Sequence, residues 1–342
     1  MAAVLDQITL ATLAEYPDLN REVLSRDCPA LRMLQENAVR VGGRSIDVSV
    51  RYKRNNGGWY SGYDQFDTAH VDQLAQGTLQ WKNVYVNVTI DEDTLVENAG
   101  MNIRDLLNIR DVRRLPKRDR HTIFNIFGEE FAGALDDIKD KFATSLYSDG
   151  TADGGKELTG FAATIDNDNT YAGIAYNELG TFDYVGIISG TYDNIWAAKV
   201  KDLSSASLDL ASTADILNDS AKGAHSPNWG FLPRDLYSAL ALQLEGQKTR
   251  PNPDVSAIGF RNNIEWLEFG VTFFRDEYCP SGTVYFVNSD YMKLYIHPAL
   301  DMSFSGFKEP VDQAAITGQL KCKAQLVCND RAKQGVIINA TA

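Results

Sequence analysis

The chain of 342 residues carries 33 Lys and Arg against 46 Asp and Glu, a net charge of −13. That balance excludes general binding to DNA, RNA or anionic membranes, which is driven by cationic side chains displacing counterions. A 44% hydrophobic content with 15 Phe, 15 Tyr and 5 Trp excludes a disordered chain, and the length allows one large core or two smaller domains.

Residues 1–40 have few apolar positions, and the weakly helical LNREVLSRDCPALRMLQENA is broken at Pro29, so this segment reads as an arm that gains order by lying on something else. In SIDVSVRYK, residues Ile46, Val48, Val50 and Tyr52 alternate with polar ones, which predicts a half-buried strand. The return strand is TLQWKNVYVNVTI. Its apolar parity switches between Leu79 and Trp81 on one side and Val84, Val86, Val88 and Ile90 on the other, which predicts a bulge or bend at Lys82 and Asn83. Between the strands lie about 25 residues, longer than loops inside compact domains usually run. They carry glycines at 57, 58, 62 and 77 and the aromatics Trp59, Tyr60, Tyr63 and Phe66. An isolated two-stranded ribbon is marginal in water, so this one is expected to pack on a partner surface.

Asp91 can cap a short helix, EDTLVEN, that stops at Gly100, and NIRDLLNIRDV can form further helical turns. After Pro116, residues Phe124, Phe127, Phe131, Leu135, Ile138, Phe142 and Leu146 recur at steps of 3, 4, 4, 3, 4 and 4, an amphipathic helix ending before Asp149 and Gly150. Its other face, with Glu129, Asp136, Asp137, Lys139 and Asp140, reads as solvated. A Gly- and Asp-rich turn region, SDGTADGGKELTG, follows. Short helices are expected in TFDYVGIISGTYDNIWAAKVKDL and PRDLYSALALQLEG, with the polar ASLDLASTADILNDSAKGAHSPNWG exposed between them. From residue 258 the pattern reads strand, turn at Pro280-Ser281-Gly282, strand, turn, strand, and GQLKCKAQLVCNDRAKQGVIINA adds two strands joined by a polar turn.

No motif for metal, nucleotide or covalent chemistry is present. His70, His121, His225 and His297 are scattered without HxH, HExxH or CxxC, and His297 before Pro298 reads as structural. Asp166, Asp168 and Thr170 have the spacing of a calcium loop, but Tyr171 stands where its glycine belongs and Asn177 where its glutamate belongs. There is no GxGxxG, P-loop or GxSxG. Cys28, Cys279, Cys322 and Cys328 are too few for a disulfide framework, so free thiols in a reducing cytosol are expected. Cys322 and Cys328 share one face of a continuous strand, about 20 Å apart, too far to pair. No apolar run approaches the roughly 20 residues of a membrane span, and the acidic opening lacks signal-peptide character. Positive charge concentrates at Arg51, Lys53, Arg54 and at Arg110, Arg113, Arg114, Lys117, Arg118, Arg120. In an acidic chain these patches are expected to meet an acidic surface of a neighbouring copy.

The order of these features resembles the major capsid proteins of tailed bacteriophages, the family of the Hong Kong 97-like fold. The resemblance is carried by CPALRMLQENAVRVGGRSIDVSVRYKRNNGGWYSGYD, TLQWKNVYVNVTIDEDTLVENAGMNIRDLL, the long helix closing with LYSDGT and ELTGF, and DEYCPSGTVYFVNSDYMKLYIHP. It implies an α+β subunit with an N-terminal arm over 1–40, an extended hairpin loop over 41–90, and a peripheral domain over 91–182 built on a spine helix at about 116–148. It further implies a mainly axial domain over 183–300, with C-terminal strands over 301–342 returning to both. The implied function is structural, without enzymatic activity or cofactor: self-assembly through pentamers and hexamers into an icosahedral head that encloses double-stranded DNA in a virion assembled in the host cytoplasm. Implied partners are the chain itself, a portal, and decoration proteins in some members. Met1 leads straight into the arm, so a separate scaffolding protein is expected. Trp59, Tyr60, Tyr63, Phe66, Arg51, Lys53, Arg54, Arg113 and Arg114 are the expected subunit-contact residues. Some members join a hairpin lysine to a neighbour's asparagine. Lys53 lies in that region, but no partner asparagine or assisting acid can be placed, and no cross-link is expected. An encapsulin-like compartment shell is the alternative, and an acid-pair hydrolase a remote one. In a shell the acids are expected on the inner wall, repelling packaged DNA, with the basic clusters at subunit contacts.

Overall fold

The computed structural model describes residues 28–99, 117–180, 194–245, 263–266, 268–310 and 313–342. The expected arm before Cys28, the turns around NIRDLLNIRDV, and Arg110, Arg113 and Arg114 lie outside them. A helix begins at Pro29. Helix α1 is Pro29–Glu36, with Cys28 as N-cap and the proline in the first turn, where a missing N–H costs nothing. It buries Ala30, Leu31 and Leu34. A two-residue strand β1, Val39–Arg40, follows.

The alternating segment forms β2, Ser45–Arg51, paired antiparallel with β3, Leu74–Gln80, from Ser45 opposite Gln80 to Arg51 opposite Leu74. The return strand therefore starts four residues earlier than the alternation marks, Leu74–Gly77 pairing with Val48–Arg51, and a backbone contact docks it where the alternation begins. Thr78 N–H donates to the Ala172 carbonyl at 2.9 Å, and a Cβ on Gly77 would stand 2.6 Å from that oxygen. Ala172 and Gly173, both at positive φ, form the tip of a small hairpin between β5, Thr170–Tyr171, and β6, Ile174–Ala175. The parity switch is a change of sheet. The strand breaks at Trp81 and resumes as β4, Lys82–Asp91, which leaves the ribbon and pairs with another partner.

That partner is β14, Ala315–Cys328, the centre of the first sheet. It takes β4 along Ala315–Ala324, β12 (Met292–Ile296) along Ala324–Cys328, and β13 (Ser303–Phe304) at Leu320 and Lys321, while β1 adds in parallel to β12. After helix α2, Glu92–Ala99, comes the long helix α3, Lys117–Leu146, roughly 45 Å at 1.5 Å per residue. The stripe from Phe127 to Leu146 is buried against this sheet, and Phe127 and Phe131 meet Phe304 and Phe307 edge-on at centroid distances of 4.8–6.0 Å. The opposite face is not wholly solvated as expected. Asp137 and Asp140 are exposed, but Lys139 is only 7% exposed and pairs with Asp136, its stem covering apolar surface.

The second sheet has the order β7 (Lys199–Asp202), β15 (Gly335–Ile338), β11 (Val284–Val287), β8 (Trp229–Leu232), β10 (Val271–Arg275), β9 (Asn263–Trp266). Every residue of the β11 sequence VYFV is buried, as befits a strand covered on both faces. Phe231, Tyr285 and Val287 join the large core shared with α1 and the first sheet. Leu232, Val284, Phe286 and Ile337 join a second core under helices α4, Leu210–Ser220, and α5, Arg234–Glu245. Two expectations fail here. AAKVKD contributes strand β7 instead of a helix, and the supposedly exposed polar stretch contains α4, which buries Thr213, Ile216, Leu217 and Ser220. The apolar spacing of α4 is helical, but only a few apolar residues mark it among polar ones.

Candidate functional site

The connection from Tyr52 to Gln73 has no regular strand or helix, and almost every residue in it is exposed. It is nevertheless tied internally. Asn56 Nδ2 donates to Asp67 Oδ2 at 2.7 Å across the loop, Asp67 Oδ1 accepts from Ala69 N–H at 3.0 Å, and Ser61 N–H donates to Asp64 Oδ2 at 2.7 Å. Tyr60 and Phe66 pack edge to face with centroids 5.2 Å apart. Trp59 and Tyr63 touch none of this and stand fully exposed. Two large, rigid aromatic rings are therefore held out on a self-supported loop at the end of a ribbon. Surfaces of that kind mark contact sites.

Arg51, Lys53 and Arg54 lie together at the base of the loop, all exposed, with Lys53 Nζ 5.2 Å from the Tyr52 ring centroid. Lys117, Arg118 and Arg120 fall in the first turn of α3. Tyr85, on the outward face of β4, is a further exposed aromatic that sequence reasoning passed over as one member of an alternating strand.

The ribbon's base is organised around the buried Trp81 side chain. Trp81 Nε1 donates to the Gly43 carbonyl at 3.0 Å, and its ring packs edge-on to His297 at 5.3 Å. His297 is structural as expected, since its Nδ1 accepts from Ala299 N–H at 3.2 Å. The supposed calcium-like turn is organised by an arginine instead. The buried Arg331 donates from Nε to Thr164 O at 2.8 Å, from Nη1 to Trp196 O at 3.2 Å and to Asn169 O at 3.4 Å, and from Nη2 to Asp166 O at 2.7 Å and to Asn169 Oδ1. Its guanidinium also lies 5.5 Å from the ring centroid of Tyr171, whose backbone leads into Ala172 and the ribbon contact. Burial lowers the Arg331 pKa from its ordinary value and raises that of Tyr171. The four cysteines are free and buried. Burial pushes Cys322 up to about 11 and Cys328 up to about 12, so both remain thiols at neutral pH. Among the described residues no group of His, Cys, Asp and Glu could hold a metal ion, and no helix is long and apolar enough to cross a membrane.

No protein-family model and no curated protein matches the sequence. Solved structures do match over nearly the whole chain. The capsid asymmetric unit of cyanophage A-1(L) is 14% identical with a TM-score of 0.61, covering 92% of this chain and 93% of its own. The capsid of a native GTA particle is 11% identical with a TM-score of 0.53, covering 94% and 91%. A structure from Mycobacterium phage Bobi is 12% identical with a TM-score of 0.52, covering 90% and 89%. With a ribbon, a long helix on one sheet and a second sheet under two helices, and with these structures matching over nine tenths of its length, this protein has the Hong Kong 97-like fold.

Proposed function

We propose that this chain is the structural subunit of a closed shell, self-assembling through pentamers and hexamers into the icosahedral head that encloses double-stranded DNA in a tailed-phage virion. The observation that carries this is the exposed aromatic loop. Trp59 and Tyr63 cost the isolated chain solubility and contribute nothing to its own core, so they fit burial against another copy. The likeness in fold to phage capsid chains supports the same reading. In this reading α3 with the first sheet is the peripheral domain, the second sheet with α4 and α5 the axial domain, and β2 and β3 the extended loop. Arg51, Lys53 and Arg54, with Arg113 and Arg114, then face acidic surface of neighbouring copies. A scaffolding protein, a portal and decoration proteins are the further partners it entails, and the packaged DNA is held without specific contacts.

Electron microscopy of the purified protein tests it. Uniform closed shells tens of nanometres across are expected, on the order of a domain diameter multiplied over many copies. The double variant Trp59→Ala, Tyr63→Ala should fold normally and fail to close shells. A monodisperse monomer across salt and pH would sink the proposal. Shells filled with a protein cargo and free of DNA would turn it toward an encapsulin-like compartment.

A further inference from the structure

Asp276, just past the end of β10, is fully buried, and four donors converge on its carboxylate. Oδ2 accepts from Tyr147 OH at 2.8 Å, from the Cys28 thiol at 3.2 Å and from Ala30 N–H at 3.4 Å, while Oδ1 accepts from Tyr278 N–H at 3.0 Å. Among the described residues no Lys, Arg or His forms an ion pair with it. The neighbouring Cys279 thiol turns elsewhere, to the carbonyls of Phe231 and Thr283 at 3.7 and 3.5 Å. Burial, and then the Asp276 charge, raise the pKa values of both Cys28 and Tyr147, so both keep their protons and stay donors.

These donors belong to three separate pieces of the molecule. Cys28 and Ala30 open α1, Tyr147 follows α3, and Tyr278 lies in the turn after the second sheet's β10. Asp276 is itself anchored to that sheet, its N–H donating to Leu232 O at 2.9 Å. Cys28 acts twice, because its sulfur also accepts from Leu31 N–H at 3.4 Å and so caps the helix. Helix α1 has eight residues, too few to persist alone in water. Its buried Ala30, Leu31 and Leu34 supply attraction without direction. Direction comes from the hydrogen bonds to the carboxylate, which a charged acceptor makes about twice as strong as neutral ones.

We propose that Asp276 is a charge-dependent latch: it seats α1 on the joint between the long helix and the second sheet, and removing its charge frees α1 while both sheets stay folded. An asparagine has the same shape, yet its NH2 must face donors whichever way the amide is turned. The latch stands independently of the shell reading, since it concerns a single chain.

Hydrogen exchange on the full-length protein tests it, comparing α1 amides with those of β14. Asp276→Asn should accelerate exchange at Arg32–Glu36 at least tenfold and leave Leu320–Cys328 unchanged. Cys28→Ala should give the same pattern at smaller amplitude, and Cys28→Ser, which keeps a donor and a cap, should restore wild-type rates. Unchanged exchange at α1 in Asp276→Asn, or equal acceleration in α1 and β14, would overturn the latch. If Asp276→Asn does not fold, the Cys28 pair decides: selective acceleration in the alanine variant alone supports it, and identical behaviour of alanine and serine refutes it.

Discussion

Arg331 shows how one side chain can organise a region mainly through main-chain carbonyls. All of its donor nitrogens are used on main-chain carbonyls and one asparagine, gathering Thr164, Asp166, Asn169 and Trp196 around it. Arg331→Met would take its donors away from the buried Thr164 and Trp196 carbonyls, at roughly 1–3 kcal/mol each. A loss of at least about 3 kcal/mol in urea unfolding is therefore expected; a loss below about 1 kcal/mol would mean that water reaches the carbonyls. At α4 the N-cap Asp209 accepts from Ser212 N–H at 2.8 Å, and the Ser212 hydrogen bonds hold its carboxyl below the ordinary 3.8. Because the folded value is depressed, this cap stabilises fully above the unfolded carboxyl's pKa and is lost as pH falls through the lower folded one. Asp209→Ala should cost about 1 kcal/mol at pH 7 and less at pH 2–3, and Asp209→Asn should cost little at either pH, read from denaturation midpoints. In the sequence Arg331 is one charge in a polar turn, and Asp276 one acid in the turn segment DEYCPSG. Neither signals burial, because burial depends on segments more than a hundred residues away.

At the scale of elements, ELTGF has a physical reason to return to the end of the long helix. A Cβ on Gly160 would stand 2.4–2.6 Å from the carbonyl oxygens of Ser145, Leu146 and Ser148, so the loop lies flat against the exit of α3. Main-chain atoms cannot move aside as a flexible side chain can. Gly160→Ala should therefore cost about 2–4 kcal/mol, seen as a lowered thermal midpoint; an unshifted midpoint would show that the helix end yields. The strand periodicities and the α3 stripe were legible in the sequence because backbone geometry imposes them locally. The early start of β3 was not, since Leu74–Gly77 are strand by pairing with Val48–Arg51 rather than by alternation. The break at Trp81 was half legible. The parity switch located it, but only the pairing of β4 with β14 explains it as a passage from ribbon to sheet.

For the whole molecule, the 52–73 connection is the place where the stability of the chain and the proposed assembly can be tested apart. Replacing Asn55–Val71 by a short Asn-Gly turn removes an exposed loop tied together by bonds among its own residues, Asn56 to Asp67, Ser61 to Asp64 and Ala69 to Asp67. Calorimetry should show a midpoint within a few degrees of the parent, and electron microscopy no closed shells. Loss of the fold would instead make the loop part of the subunit's own core. The Arg51, Lys53 and Arg54 cluster is exposed at the ribbon. The sequence by itself determined the acidic balance, the alternating strands, the long helix and the aromatic loop, because composition and periodicity are properties of neighbouring residues. Only the tertiary structure decided that β14 joins the first sheet while β15 enters the second, that Lys139, Asp276 and Arg331 are buried, and that Trp59 and Tyr63 are left exposed. Those outcomes depend on which distant segments meet, and burial is decided by that meeting.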